Sequence, residues 1–331
     1  MAIIALSSGK SFPTPAGTTI LEAAAQAKVA LPYSCKTGRC STCKCKVLSG
    51  TTHALYPETG LSDFEKADGW ILSCVRTAET DVLLEVDDLD GVVLPTAKTW
   101  PCRISEVKQL APDVMQVLLR LPPSADFDFI SGQYVDIIGP GGIRRSYSLA
   151  NAACKNKMLE LNIRAVDGGA MSDYWFNQAK QNDLLRLNGP LGTFLLRDVA
   201  GSDLIFLATG TGIAPVKAML ESLAHYPSDK QPKSTTVLWG GRYPSDFYLA
   251  VNEIAADFSY IPVLSRPDDK WGGEIGYVQD VLLKTVPDLL NAAVYACGSD
   301  AMIHSAQKSL LAAGLPANRF YSDAFVCSSS N

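Results

Sequence analysis

Cys35, Cys40, Cys43 and Cys74 stand at the spacing C-x4-C-x2-C, with thirty residues before the fourth cysteine. That spacing fits a [2Fe–2S] cluster site. Two irons share two bridging sulfides, and each iron needs two thiolates at about 2.3 Å, by analogy with zinc–thiolate bonds. A tight loop wraps one edge of the cluster and a distant cysteine closes the other side. Gly38 lets the loop backbone approach the metal centre. Ser34, Lys36, Thr37, Arg39, Ser41 and Thr42 can aim N–H groups at the sulfurs and tune the potential. Zinc would favour two short cysteine pairs, whereas here the first gap is four residues and the last cysteine is single. Cys45 reads as a buried small side chain.

Two further clusters of residues suit phosphate-bearing ligands. Arg145-Ser146-Tyr147-Ser148 places a cation, an aromatic plane and hydroxyls on one strand, with Arg145 and Tyr147 on the same face. A guanidinium can clamp a pyrophosphate bidentately. Gly168-Gly169-Ala170-Met171-Ser172 adds glycines and a helix start, which suit a second phosphate contact through backbone N–H groups and the Ser172 hydroxyl. Thr209-Gly210-Thr211-Gly212-Ile213-Ala214-Pro215 follows an apolar strand and opens a helix, the context of a dinucleotide pyrophosphate site. It is not G-x-G-x-x-G. No nucleophile triad, paired-carboxylate site or ATP-binding loop is visible.

The elements that must carry these residues form three regions in 331 residues. Residues 1–93 hold the four spaced cysteines and end in an acidic strand-like run, 82–90. Residues 94–101, with two prolines and no periodicity, read as a linker. Residues 102–198 alternate in short apolar and polar stretches (114–121, 133–138, 159–164), as an antiparallel barrel requires. Residues 199–331 alternate apolar strands (204–208, 235–239, 293–297) with helical stretches such as 215–224, which predicts a parallel α/β sheet. The fold class is therefore α+β multidomain. Charged residues make up 19% and the net charge is −5, with no basic run, so nucleic acid is not an expected partner. No apolar run reaches a membrane span, and the N-terminus lacks a cationic start, which predicts a cytoplasmic protein without a membrane partner. Nine cysteines then point to a metal site plus buried thiols before disulfides. Cys102, Cys154 and Cys327 read as structural or incidental. The tail 328–331 reads as frayed.

Residues 1–93 resemble plant-type ferredoxins of the β-grasp fold, with Thr19-Ile20-Leu21-Glu22-Ala23-Ala24 similar to that family's helix start. Residues 102–331 resemble the ferredoxin–NADP reductase superfamily: an antiparallel β-barrel flavin domain, then an α/β parallel-sheet nicotinamide domain. Gly189-Pro190-Leu191-Gly192-Thr193-Phe194 is similar to the turn that closes that barrel. The order of parts is that of bacterial oxygenase reductases and of the CDP-6-deoxy-delta-3,4-glucoseen reductase family. The resemblance implies FAD, held by Arg145, Ser146, Tyr147, Ser148, Arg164, Gly169, Met171 and Ser172, with Ser148 facing flavin N5. It implies a nicotinamide dinucleotide held by Thr209, Gly210, Thr211, Gly212, Arg242, Cys297 and Gly298, with Cys297 beside nicotinamide C4. Phe325 would cover the flavin face that the nicotinamide must reach, and Asp323 would approach the flavin edge. Ser148, Cys297, Asp323 and Phe325 are thus the implied catalytic residues.

Ser265-Arg266 could grip a 2′-phosphate, but Asp268 and Asp269 would repel one, so NADH is expected over NADPH. The implied reaction is hydride transfer from NADH to FAD, then single electrons to the cluster and on to a partner protein. Phe320-Tyr321-Ser322-Asp323-Ala324-Phe325, Arg144-Arg145-Ser146-Tyr147-Ser148-Leu149-Ala150-Asn151 and Tyr295-Ala296-Cys297-Gly298-Ser299 resemble the dideoxysugar reductases. They imply a pyridoxamine-phosphate-dependent CDP-sugar 3-dehydrase as acceptor. A ring-hydroxylating or diiron oxygenase component is the alternative.

Overall fold

The computed structural model describes residues 1–89, 91–153, 157–254, 257–286 and 288–325. Cys154, Cys327, the tail 328–331 and Asp90 of the acidic run lie outside them. The chain forms two compact units, Met1–Leu94 with Gly192–Phe194, and Pro95–Leu191 with Leu195–Phe325.

In the first unit a five-stranded sheet runs Ser11–Thr14, Ala2–Leu6, Val82–Glu85, Lys44–Ser49, Trp70–Leu72. The first and last parts of this segment meet as parallel neighbours, Ala2–Leu6 against Val82–Glu85. Ile20–Gln26 is a helix because Thr19 and Glu22 make a reciprocal capping box. Its Ile20, Leu21, Ala23 and Ala24 are buried in the core with Ile4, Phe12, Leu72 and Leu84. This is the mixed β-grasp arrangement. The acidic run pairs only over Val82–Glu85; beyond it the alternation lapses into consecutive carboxylates, which a ladder does not hold.

The second unit begins with a six-stranded antiparallel sheet in the order Arg144–Ser148, Tyr134–Ile138, Leu184–Leu191, Lys98–Ala111, Val114–Arg120, Met158–Arg164. A bridge between Leu149 and Leu161 joins its two edges, which closes it as a barrel. The strand Lys98–Ala111 starts inside the stretch read from sequence as a linker. Trp100, Cys102 and Ile104 turn inward while Thr99, Pro101 and Arg103 face out. The two prolines mask that period of two, and Pro101 sits outward on a strand that still pairs with Arg186.

A parallel sheet follows, ordered Glu274–Ile275, Ser259–Leu264, Ser234–Gly241, Asp203–Thr209, Ala292–Gly298, Phe320–Ala324. Its central strands are buried on both faces, which is why they read as unbroken apolar runs. The chain builds outward from Asp203–Thr209 to one side, then returns to Ala292–Gly298 on the other. These two strands therefore flank the topological switch point, outside whose carboxyl ends α/β sheets bind ligands.

Barrel and parallel sheet are tied by a half-buried ionic network. Lys217, on the helix Ile213–Leu223, reaches Glu160 and Glu221, both at 2.8 Å, and the Ala150 carbonyl at 2.9 Å. Burial alone would lower the lysine, but Glu160 and Glu221 outweigh it and raise Lys217. Lys217→Met would leave Glu160, with only 11% of its side chain exposed, without its cation. The expected cost is on the order of 3 kcal/mol, read by denaturant unfolding. A lysine raised in the folded state stabilises fully below its ordinary value of 10.5, and that contribution is lost as pH climbs through the raised value. The difference between wild type and Lys217→Met should therefore shrink in that alkaline range.

Candidate functional site

The four spaced cysteines fall in the first unit as two pairs. Cys35 hydrogen-bonds with Cys40, and Cys43 with Cys74. The Cys35 N–H donates to Cys40 Sγ at 3.4 Å and the Thr37 N–H to Cys35 Sγ at 3.3 Å. The Gly38 N–H adds a bond to Cys74 and the Thr42 hydroxyl one to Cys40. In the first pair, the bond from Cys40 holds Cys35 down to about 4 while Cys40 is driven up. In the second, Cys74 is lowered by Cys43, which is itself raised. Among the described residues, no three Cys, His, Asp or Glu side chains converge as one mononuclear ion would require. Two dithiol pairs under N–H donors form a donor set that would fit two irons.

The cluster loop depends on left-handed backbone at Lys36, Gly38 and Ser41. At Gly38 the requirement is absolute: φ is +74°, and a Cβ would lie 2.3 Å from the Pro57 carbonyl oxygen. Cys45 is fully enclosed, and burial pushes its thiol up to about 12, which fits the packing role expected of it.

On the barrel, Arg145 and Tyr147 do share a half-buried face, with Arg144 and Ser146 exposed and Ser148 buried. Arg145 Nη1 donates to the Arg144 carbonyl at 2.8 Å. Ser146 Oγ donates to Asp136 at 2.6 Å. The Tyr147 ring meets Trp175 edge-on, and its hydroxyl accepts from Trp175 Nε1 at 3.0 Å. Burial pushes this phenol up to about 12, so it stays neutral. Trp175 gave no signal in the sequence, because its partner is set by the barrel's curvature.

Gly169 precedes a helix of only Ala170–Asp173, whose first N–H groups have no side-chain cap. Ser172 Oγ already accepts the Val166 N–H at 2.9 Å, which leaves its proton and one lone pair for a ligand. Met171 is buried. A guanidinium, uncapped N–H groups, an aromatic ring and a buried hydroxyl are a donor set that fits a flavin dinucleotide.

Arg164, expected among the residues that hold FAD, is ion-paired twice. It bridges Asp113 at 2.7 Å and Asp246 at 2.9 Å. Asp246 in turn accepts the backbone N–H groups of Arg242 at 2.6 Å and Tyr243 at 3.2 Å. Arg164 thereby links the barrel to the loop that carries Arg242. Nothing in the spacing of Asp113, Arg164 and Asp246 announces this.

The nicotinamide motifs meet at the switch point. Thr209 ends one strand and Gly298 the next. Gly210–Gly212 makes a 3-10 turn before the helix Ile213–Leu223, which starts two residues earlier than the sequence suggests. Thr211 is buried in this turn. A Cβ on Gly212 would lie 2.1 Å from the Cys297 carbonyl oxygen, and one on Gly298 2.2 Å from Thr209 Oγ1. Ser299 N–H donates to Thr209 Oγ1 at 3.1 Å. These close approaches leave backbone, not side chains, facing the crevice, which suits a pyrophosphate.

Cys297 exposes no surface, and burial followed by the Asp323 charge pushes its thiol well up, so it is not a thiolate nucleophile. Asp323 is buried opposite it in register. The Phe325 N–H donates to the Gly298 carbonyl at 2.8 Å, and the residue is 37% exposed. Arg266 N–H bonds to the Arg242 carbonyl at 3.1 Å, and Asp268 accepts the Lys270 N–H at 3.1 Å.

Three family models match along the chain: a 2Fe-2S iron-sulfur cluster binding domain at residues 4–79, an oxidoreductase FAD-binding domain at 101–195 and an oxidoreductase NAD-binding domain at 206–308. The CDP-6-deoxy-L-threo-D-glycero-4-hexulose-3-dehydrase reductase of Yersinia pestis is 39% identical over 96% of both chains. The reductase subunit of an aromatic O-demethylase from Amycolatopsis sp. is 33% identical over 96% of this chain and 97% of its own. The crystal structure of an Amycolatopsis cytochrome P450 reductase superposes with a TM-score of 0.76 at 32% identity, covering 98% of this chain and 99% of that one. No helix among the described residues is long and apolar enough to cross a membrane. With cluster-binding, FAD-binding and NAD-binding parts in that order, and relatives aligned from end to end, the chain belongs to the iron–sulfur flavoprotein reductases.

Proposed function

We propose that the protein draws a hydride from NADH and delivers single electrons to a pyridoxamine-phosphate-dependent CDP-sugar 3-dehydrase. The observation that carries this reading is that one chain holds both the paired thiols Cys35/Cys40 and Cys43/Cys74 and the Thr209–Gly298 switch point. When bound, FAD can accept two electrons as hydride and release them singly, while a [2Fe–2S] cluster takes one at a time. The chain's own residues do the rest. Cys35 and Cys40 would hold one iron and Cys43 and Cys74 the other. Arg145 and the N–H groups after Gly169 would hold the flavin pyrophosphate, with Ser148 beside the ring edge. The Thr209–Gly212 turn would seat the nicotinamide pyrophosphate and Gly298 would leave room for it. Phe325, hydrogen-bonded through its backbone to Gly298, would move aside for the nicotinamide ring. Asp268 and Asp269 support NADH over NADPH.

The greater identity to the dehydrase reductase than to the O-demethylase reductase favours the dehydrase as acceptor. An oxygenase component is the second reading. Four of the seven described cysteines stand at metal-site spacing rather than as disulfide partners, which supports a reducing, cytoplasmic setting.

The deciding experiment supplies NADH and the purified holoprotein to a CDP-sugar 3-dehydrase with its substrate, and in parallel to an oxygenase component. Dehydrase turnover that needs this protein is expected. Turnover with the oxygenase alone would replace the acceptor, and zinc in place of about two irons per chain would overturn the cluster. Arg145→Ala should weaken FAD retention at least tenfold by losing a charge-assisted phosphate contact, measured by flavin release on dilution. Extraction of FMN from the wild type would contradict the FAD assignment.

A further inference from the structure

The segment Pro57–Gly60 touches both halves of the cluster site. The Pro57 carbonyl packs against Gly38, the Gly60 N–H donates to the Gly38 carbonyl at 2.8 Å, and Ser41 Oγ donates to the Gly60 carbonyl. These contacts fix the loop that bears Cys35, Cys40 and Cys43. Between them stands Glu58, a buried carboxylate whose side chain is 5% exposed. Its Oε1 accepts the Leu72 N–H at 2.8 Å and its Oε2 the Arg76 Nε at 2.8 Å. Leu72 and Arg76 flank Cys74 two residues to either side. Arg76 is held in turn by Thr52, through the hydroxyl at 2.9 Å and the carbonyl at 3.3 Å.

A buried carboxylate needs a reason, because its desolvation costs several kcal/mol unless it is paired and hydrogen-bonded. Glu58 is fully partnered, and its partners bracket a cysteine. The turn between them is tight, with the Val75 N–H on the Leu72 carbonyl at 3.1 Å.

We infer that Glu58 and Arg76 form a positioning pair that fixes Cys74 against the three-cysteine loop and sets the charge felt by the cluster. This rests on the proposed reading of Cys74 as a ligand. Reduction adds one negative charge to the cluster. The buried Glu58 carboxylate opposes that charge and the half-buried Arg76 guanidinium favours it, with the carboxylate the less screened by salt. The two members of the pair therefore pull the potential in opposite directions.

The test is a redox titration of the holoprotein followed by electron paramagnetic resonance. Wild type must first show about two irons and two sulfides per chain with a reduced-cluster signal; if it does not, the ligand reading fails and not the pair. Glu58→Gln keeps an acceptor for the Leu72 N–H while removing the charge. It should shift the cluster potential upward by roughly a tenfold change in the reduced-to-oxidised ratio, about 59 mV for one electron. Arg76→Gln should shift it downward. If either variant loads poorly, iron content decides: Glu58→Ala should lose the cluster and Glu58→Gln regain most of it. Unchanged potentials, shifts of the same sign, or wild-type iron and spectrum in Glu58→Ala would each overturn the proposal.

Discussion

Cys74→Ser should stop electron flow to a one-electron acceptor while NADH still bleaches the flavin at its usual rate. The thiols are divided two and two, so losing Cys74 leaves Cys43 without its partner while the Cys35/Cys40 pair keeps its own. A serine hydroxyl does not ionise readily near neutral pH, whereas the ligand must be deprotonated to bind metal. Outer-shell changes around a metal typically cost 10–100-fold; loss of a ligand should exceed that, so reduction of an acceptor protein should fall more than about 100-fold. The flavin and nicotinamide motifs lie in a different compact unit from Cys74, so they should not register the change. Stopped-flow absorbance resolves the two events. Loss of flavin reduction together with the cluster would show that the two units do not fold independently, and normal reduction of the acceptor would remove Cys74 from the ligand set.

The sequence made the candidate ligands of the site legible because cluster and nucleotide chemistry need residue types at fixed local spacings. Cys35-x4-Cys40-x2-Cys43 and the Thr209–Gly212 turn are each within one loop, and a loop's geometry follows from its own residues. The supports were not legible. Glu58 with Leu72 and Arg76, Arg164 with Asp113 and Asp246, and Lys217 with Glu160 are all pairings across the fold. Each rests on ordinary charged side chains whose neighbours depend on strand register and helix placement. Arg164 shows the consequence. Its place on the strand 159–164 was legible, but its two carboxylate partners come from distant parts of the chain. The barrel and the parallel sheet were legible from periods of two and from unbroken apolar runs. Lys98–Pro101 was lost to the linker because proline is a local breaker whose tolerance on an outward strand position only pairing reveals.

Gly298→Ala should abolish productive NADH binding while leaving FAD and iron contents unchanged. Gly298 has φ +139°, a conformation that L side chains rarely adopt, and that strain alone costs about 1–3 kcal/mol. The added Cβ would also lie 2.2 Å from Thr209 Oγ1 and 2.8 Å from the Thr209 carbonyl oxygen. The threonine hydroxyl can rotate away, but the carbonyl is backbone in a central strand, so the ends of Asp203–Thr209 and Ala292–Gly298 must separate. That separation breaks the Ser299 N–H bond to Thr209 and moves the Gly298 carbonyl from the Phe325 N–H. A displacement of about 1 Å near a reacting pair can cost 10²-fold in rate, so hydride transfer from NADH should slow at least that much. Gly276→Ala separates strain from collision. Gly276 belongs to the same unit and has φ +128°, but a Cβ there meets nothing within 4 Å. Gly276→Ala should lose stability through strain alone and keep wild-type flavin reduction by NADH. If Gly298→Ala loses stability like Gly276→Ala yet still reduces its flavin at the wild-type rate, the nicotinamide does not bind at this switch point.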